Sequence, residues 1–268
     1  YSEVHVNNCH NSCNIKNKSH GYTGGVVGNA HDKGSHLYMY NCYNTGKIVY
    51  AGKGSWIGVG GVFGGIWNNN EGATTKLDFC YNTGKIEATN GFVGGVMGEG
   101  RNSGGNVISY CMNTGDVIVD GHPGDWNTTG GVVGDYSGAT AKYCFNTGKV
   151  LLSCTGTQDH RVAGVILQRC EHSANYGDVY SPVNFGTAAG CATGTSDYSY
   201  SVGRVEVLRG GNAANRGVGN GTKSYFDKNI SYESNGSTQA TTSSLIGTNS
   251  VFKNTETSKY WLFEEGMY

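Results

Sequence analysis

Four times this chain returns to the same phrase: Cys42-Tyr43-Asn44-Thr45-Gly46-Lys47-Ile48, then Cys80 to Ile86, Cys111 to Val117 and Cys144 to Val150. The cysteines stand 38, 31 and 33 residues apart. Recurrence at that interval marks a repeat architecture, and the unequal steps place the insertions in loops. Degenerate copies at Cys9-His10-Asn11, at Ser173 to Val179 and at Ser199 to Val205 extend the register to about seven units.

A second element alternates with the first: Gly24-Gly25-Val26-Val27-Gly28, Gly60 to Gly64, Gly94 to Gly98, Gly130 to Gly134 and a weaker copy at Ala163 to Ile166. Its short apolar pairs between glycines suit a tight bend where backbones approach closely. A phosphate loop is the alternative, but the glycines do not open a helical pattern and one copy per unit is not how a nucleotide site is built.

A unit of two or three short strands without a helical period cannot bury its apolar face alone, so units must stack and share one core. The chain is therefore expected to be all-β: a right-handed parallel β-solenoid of about seven coils, roughly 34 Å long at about 4.8 Å per coil. With 45 glycines, 2 prolines and 15% charged residues, the composition favours turns and short strands over helices. Residues 1–205 read as the solenoid and 206–268, which lose the repeat and end in Tyr260, Trp261 and Phe263, as a C-terminal cap.

A position repeated in every coil lies above its own copies. Ile48, Ile86, Val117, Val150 and Val179 are expected to form an aliphatic column. Cys9, Cys42, Cys80, Cys111 and Cys144 should form a column of free, packed thiols rather than disulfides. Asn44, Asn82, Asn113, Asn146 and Asn175 should form an amide ladder satisfying corner backbone, with the following glycine at positive φ. Cys13, Cys154, Cys170 and Cys191 fall outside that register, and a Cys154–Cys170 bridge is open to them in an oxidising compartment.

The alternation of the Cys-Tyr-Asn-Thr-Gly-Lys-Ile and Gly-Gly-Val-Val-Gly elements over roughly residues 9 to 205 resembles the GLUG-motif repeats of bacterial surface proteins, including regions beside IgA-specific metallopeptidases. Ser224 to Lys228 and Trp261 to Tyr268 resemble the segment that closes such arrays. The resemblance implies a bacterial extracellular or cell-surface location and carries no active-site residues. It implies a non-catalytic adhesin module or rigid stalk that meets a host protein or glycan. A self-assembling filament subunit and a solenoid polysaccharide lyase or glycoside hydrolase are the alternatives.

A net charge of −1, with scattered Lys and Arg, gives no field for nucleic acid. No apolar run approaches the roughly 20 residues of a membrane span, so no membrane insertion is expected. No basic-then-apolar leader opens the chain, which places any export signal and anchor outside this segment. The chain starts almost inside its first unit. That reads as a piece of a longer protein, or as an end that associates with a second copy.

Three constellations could carry chemistry. Trp56, Trp67 with Asn68 to Asn70, and His122, Asp125 and Trp126 combine indoles with polar partners, the arrangement that holds sugar rings. Their bland reading is that the indoles cover the solenoid side. Asp159, His160 and Arg161 with Arg169, Glu171 and His172 form the densest titratable group, which reads as a solvated ion-pair cluster more readily than as an acid–base site. His5, His10, His20, His31 and His36 crowd Cys9 and Cys13, but their spacing matches no metal motif. No metal, cofactor or nucleophilic triad is expected.

Overall fold

The computed structural model describes residues 3–30, 36–54, 56–66, 73–100, 105–122, 126–135, 138–154, 160–181, 186–207, 214–216, 218–219, 221–227 and 238–240. Every regular element among them is a β-strand, and every pairing is parallel. The fold is an all-β, parallel β-helix-like stack.

Five sheets wrap the stack. The first runs from Glu3–Asn7 through His36–Tyr40, Thr74–Asp78, Asn106–Ser109, Ala139–Lys142 and Arg169–Glu171 to Thr195–Asp197. The second begins with the two-residue strands His10–Asn11, Tyr43–Asn44 and Tyr81–Asn82, and the third with Ile15–Asn17, Ile48–Tyr50 and Ile86–Ala88. The fourth begins with Thr23–Gly24, Gly58–Gly60 and Phe92–Gly94. The fifth comprises Val27–Ala30, Phe63–Ile66 and Met97–Glu99 and continues as single bridges at Val133, Ile166 and Ala192. Parallel pairing continues beyond residue 205, where Ala214–Arg216 joins the fourth sheet and Tyr225–Asp227 and Thr238–Ala240 join the second.

Register explains why the repeat works. Ile15, Ile48, Ile86, Val117, Val150, Val179 and Val205 oppose one another in turn, and all but Ile15 are fully buried. The alternation of buried and outward positions along each third-sheet strand is the period of a strand with one face in the core.

The interior is split. One apolar cluster gathers Met39, Leu77 and Ile108 with Val62, Val96, Val132 and every buried cysteine but Cys154. The other gathers the Ile48 to Val205 column with Val59, Val93 and Val162. Between them stands a polar wall. Asn44, Asn82, Asn113, Asn146 and Asn175 are wholly buried. Each Nδ2 donates to the carbonyl two residues on, Gly46, Gly84, Gly115, Gly148 or Gly177, at 2.7 Å. The other amide hydrogen goes to the next asparagine's Oδ1 at 2.8 to 2.9 Å, and from Asn175 to Ser201 Oγ at 3.3 Å.

This wall is why the second glycine of the Gly-Gly-Val-Val-Gly element carries no side chain. A Cβ on Gly95 would sit 2.1 Å from the Gly131 carbonyl oxygen and 2.3 Å from Asn113 Cγ, and Gly61, Gly131 and Gly164 are equally confined. The two sequence elements are thus the two halves of one contact.

The Asn-Thr-Gly glycine has a different rationale from positive φ. Gly46, Gly84, Gly115 and Gly148 do not adopt left-handed angles. Their constraint is steric, since a Cβ on Gly84 would lie 2.0 Å from the Gly46 oxygen and one on Gly115 2.2 Å from that of Gly84. The left-handed residue of each coil is instead the one before the cysteine or its serine substitute: Asn8, Asn41, Phe79, Tyr110, Tyr143, His172, Tyr198 and Lys223, at φ between 48° and 56°.

Candidate functional site

A concave surface lies at the corner between the third and fourth sheets, where successive coils bring residues 51–54, 56–57, 89–92, 122 and 126–127. Main-chain bonds lock this corner. Ala51 N donates to Asn17 O at 2.8 Å, Thr89 N to Tyr50 O at 3.1 Å and His122 N to Thr89 O at 3.0 Å. Thr89 Oγ1 also donates to Gly52 O at 3.0 Å. Gly54, at φ +115°, takes a backbone angle closed to most side chains and lets the His20 ring lie against it.

A cleft of about 380 Å³ opens here, lined by Ala51, Gly52, Lys53, Gly54, Thr89, Asn90 and His122. A second, of about 280 Å³, shares Ala51 and Thr89 with it and adds Glu87, Ile118 and Asp120. Glu87 is held below the usual carboxylate range by hydrogen bonds from Lys47 Nζ and Lys85 Nζ, at 2.7 and 2.8 Å.

Two residues beyond Gly54, Trp56 adopts a left-handed backbone at φ 72° and leaves 40% of its surface exposed. Its indole meets Trp126 edge-on at 5.8 Å and Phe92 at 5.7 Å. A bulky aromatic in the left-handed region is strained by about 1 kcal/mol or more. Phe92 is buried and Trp126 half-buried, so they fix the indole from behind. An exposed indole can stack on the C–H face of a sugar, and the Lys53 and Thr89 side chains of the cleft are of the kind that take sugar hydroxyls.

Of the residues anticipated for this role, Trp56 and Trp126 come together and His122 lines the adjoining cleft. Trp67 and Asp125, like Asn68 to Asn70, lie outside the described residues.

The titratable group around His160 does not assemble as one cluster. His160 is buried in the fourth sheet, whereas Arg169 and Glu171 stand on the first, paired at 3.1 Å, with Lys142 on Glu171 at 3.0 Å and Asp197 near Arg169 at 3.5 Å. Asp159 lies outside the described residues. The amino-terminal histidines are dispersed too: His5 stacks on Tyr38, His10 on Tyr43, and His36 Nδ1 meets Thr74 Oγ1 at 2.7 Å. Among the described residues no three His, Cys, Asp or Glu side chains converge as metal ligands would.

All nine cysteines are free thiols. Cys42, Cys80, Cys111 and Cys144 are buried, each Sγ within reach of the carbonyl two residues before it and of one in the preceding coil. Burial holds the Cys42 thiol above its ordinary pKa and Cys111 well above it. Cys154 and Cys170 are not bridged: they sit in different sheets, Cys154 Sγ facing His122 O at 3.6 Å and Cys170 Sγ facing Ser196 Oγ at 3.3 Å.

A second aromatic feature runs along the corner between the first and second sheets. Five of the left-handed corner residues stack face to face, beginning with Phe79 on Tyr110 at 4.9 Å, Tyr110 on Tyr143 at 5.0 Å and Tyr143 on His172 at 5.1 Å. Tyr198 follows His172 at 4.9 Å, and Lys223 Nζ closes the row 5.4 Å from the Tyr198 ring. The signal was present as an aromatic just ahead of Cys80, Cys111, Cys144, Ser173 and Ser199.

No protein-family model, curated protein or solved structure matches this chain.

Proposed function

We propose that the chain is a non-catalytic bacterial surface module: a right-handed solenoid of about seven coils, closed by its carboxy-terminal segment, acting as a rigid adhesin or stalk that binds a glycan at the Trp56 corner. The observation that carries the reading is the strained, exposed Trp56 indole, which meets Trp126 and Phe92 and follows by two residues Gly54, a lining residue of the Lys53–His122 cleft. Backbone strain held at an exposed aromatic is characteristic of binding surfaces. The stacked parallel sheets supply the stiffness a stalk needs. The repeat's likeness to GLUG-motif surface proteins supports a location outside the cell.

A glycan array followed by titration calorimetry tests this. Saturable binding that weakens about fivefold or more in Trp56→Ala, as expected for loss of one stacking contact, supports the reading. Absence of glycan binding, binding indifferent to Trp56 and Trp126, or depolymerisation of a bound polysaccharide would sink it.

A further inference from the structure

The aromatic row on the corner between the first and second sheets places two phenols in direct contact. Tyr110 and Tyr143 lie one coil apart, their ring centroids 5.0 Å apart and their planes within 14°. Both backbones are left-handed, at φ 52° and 54°, and anchored by Tyr110 N to Lys142 O and Tyr143 N to Glu171 O, each at 3.0 Å. The two backbones are therefore held one above the other, with the rings in contact. Tyr110 is 43% exposed. Its other stacked neighbour is Phe79 and that of Tyr143 is His172, neither of them a phenol.

We infer that Tyr110 and Tyr143 form an oxidative cross-linking site, at which a peroxidase-type one-electron oxidant joins the two rings as dityrosine and staples consecutive coils. Each phenol gives one electron and its hydroxyl proton to the oxidant. The two phenoxyl radicals then couple through the ring carbons ortho to oxygen, forming a Cε–Cε bond, and the hydrogens on those carbons pass to the oxygens as the rings regain aromaticity. Two tyrosines and one hydrogen peroxide give one dityrosine and two waters. Held in contact, the radicals meet at an effective concentration far above that of two molecules in dilute solution, so coupling within the chain outruns coupling between chains.

Two other tyrosine pairs provide comparison. Tyr43 and Tyr81 stack at 4.7 Å and are both half-buried, as Tyr143 is, but lack a member as exposed as Tyr110, and Tyr176 and Tyr200 meet edge-on, with Tyr200 buried. The inference does not depend on the glycan reading, since it concerns a different corner and a different chemistry.

The test is to treat dilute protein with a haem peroxidase and hydrogen peroxide, isolate the monomer, and map its peptides by mass spectrometry alongside dityrosine fluorescence. The expected result is a peptide pair joined at Tyr110 and Tyr143 that has lost two hydrogen atoms. Tyr110→Phe and Tyr143→Phe should remove that product, while Tyr43→Phe leaves it in place. Phenylalanine already occupies this column at Phe79, so the phenol is deleted without loss of the stack. A monomer lacking the 110–143 link, or fluorescence in Tyr110→Phe equal to that of the parent, overturns the assignment.

Discussion

Asn82 gives one amide hydrogen to Asn113 Oδ1 at 2.8 Å and the other to the Gly84 carbonyl at 2.7 Å, with both asparagines wholly buried. A link in the middle of such a chain serves three partners at once. Asn113→Ala strips the Asn82 amide of its acceptor and the Gly115 and Asn146 oxygens of their donor. Chemical denaturation should show a loss of about 3 to 5 kcal/mol. Asn113→Asp should be worse near neutral pH, because it sets a carboxylate against two oxygens. Burial and those neighbours raise its folded pKa, so the penalty should shrink as acidification restores a proton.

Glycine substitutions should separate by position. Gly95→Ala drives a methyl into backbone and ladder alike, at 2.1 Å from Gly131 O, and is expected to abolish cooperative folding. At Gly28 the nearest atom is 3.5 Å away, and Gly28→Ala should shift stability by less than about 1 kcal/mol. Circular dichroism melts of the two variants would make the comparison.

Thiol reactivity should divide the cysteines by burial. Cys9 and Cys13 are exposed and should react with a disulfide reagent within minutes, whereas the seven buried thiols should react only on unfolding. The raised pKa of Cys111 keeps it protonated through mildly alkaline pH. Cys111→Ser should fold, since the same column already holds Ser173, whose hydroxyl donates to Glu171 O at 2.9 Å and accepts from Cys144 N at 3.1 Å.

The surface pairs at Glu87 should matter little. Its folded pKa is depressed by Lys47 and Lys85, so its contribution is present above the unfolded value of about 4.3 and is lost as pH falls through the lower folded one. With side chains a third or more exposed, the pairs should contribute under about 1 kcal/mol, less in high salt. Glu87→Gln, compared with the parent between pH 7 and pH 3, measures this.

The parallel all-β stack was legible because a repeat that cannot bury its own face has few ways to fold, and its apolar columns follow from register. The division of the interior was not legible, since no single unit shows that its asparagine will face the glycine of the other element across the coil. The left-handed corner was missed for a sharper reason. Local preference argues against Phe79, Tyr110 and Tyr143 at positive φ, and only stacking between coils, worth about 0.5 to 1.5 kcal/mol per pair, offsets that preference. Trp56 stood out by residue type, but its contact with Phe92 depends on how successive coils meet.

Every amide in the buried ladder points its hydrogen the same way, from the lower-numbered coil to the higher. The molecule therefore has a chemical arrow along its axis. At Asn11 the ladder presents a side-chain oxygen that accepts from Cys13 N, and at Asn175 it finishes on a hydroxyl. A coil spliced into this array must arrive with its amide facing along the arrow, so the ladder reads orientation as well as spacing. Lengthening such a protein by duplication meets that condition automatically, whereas reversing a segment breaks it at two places.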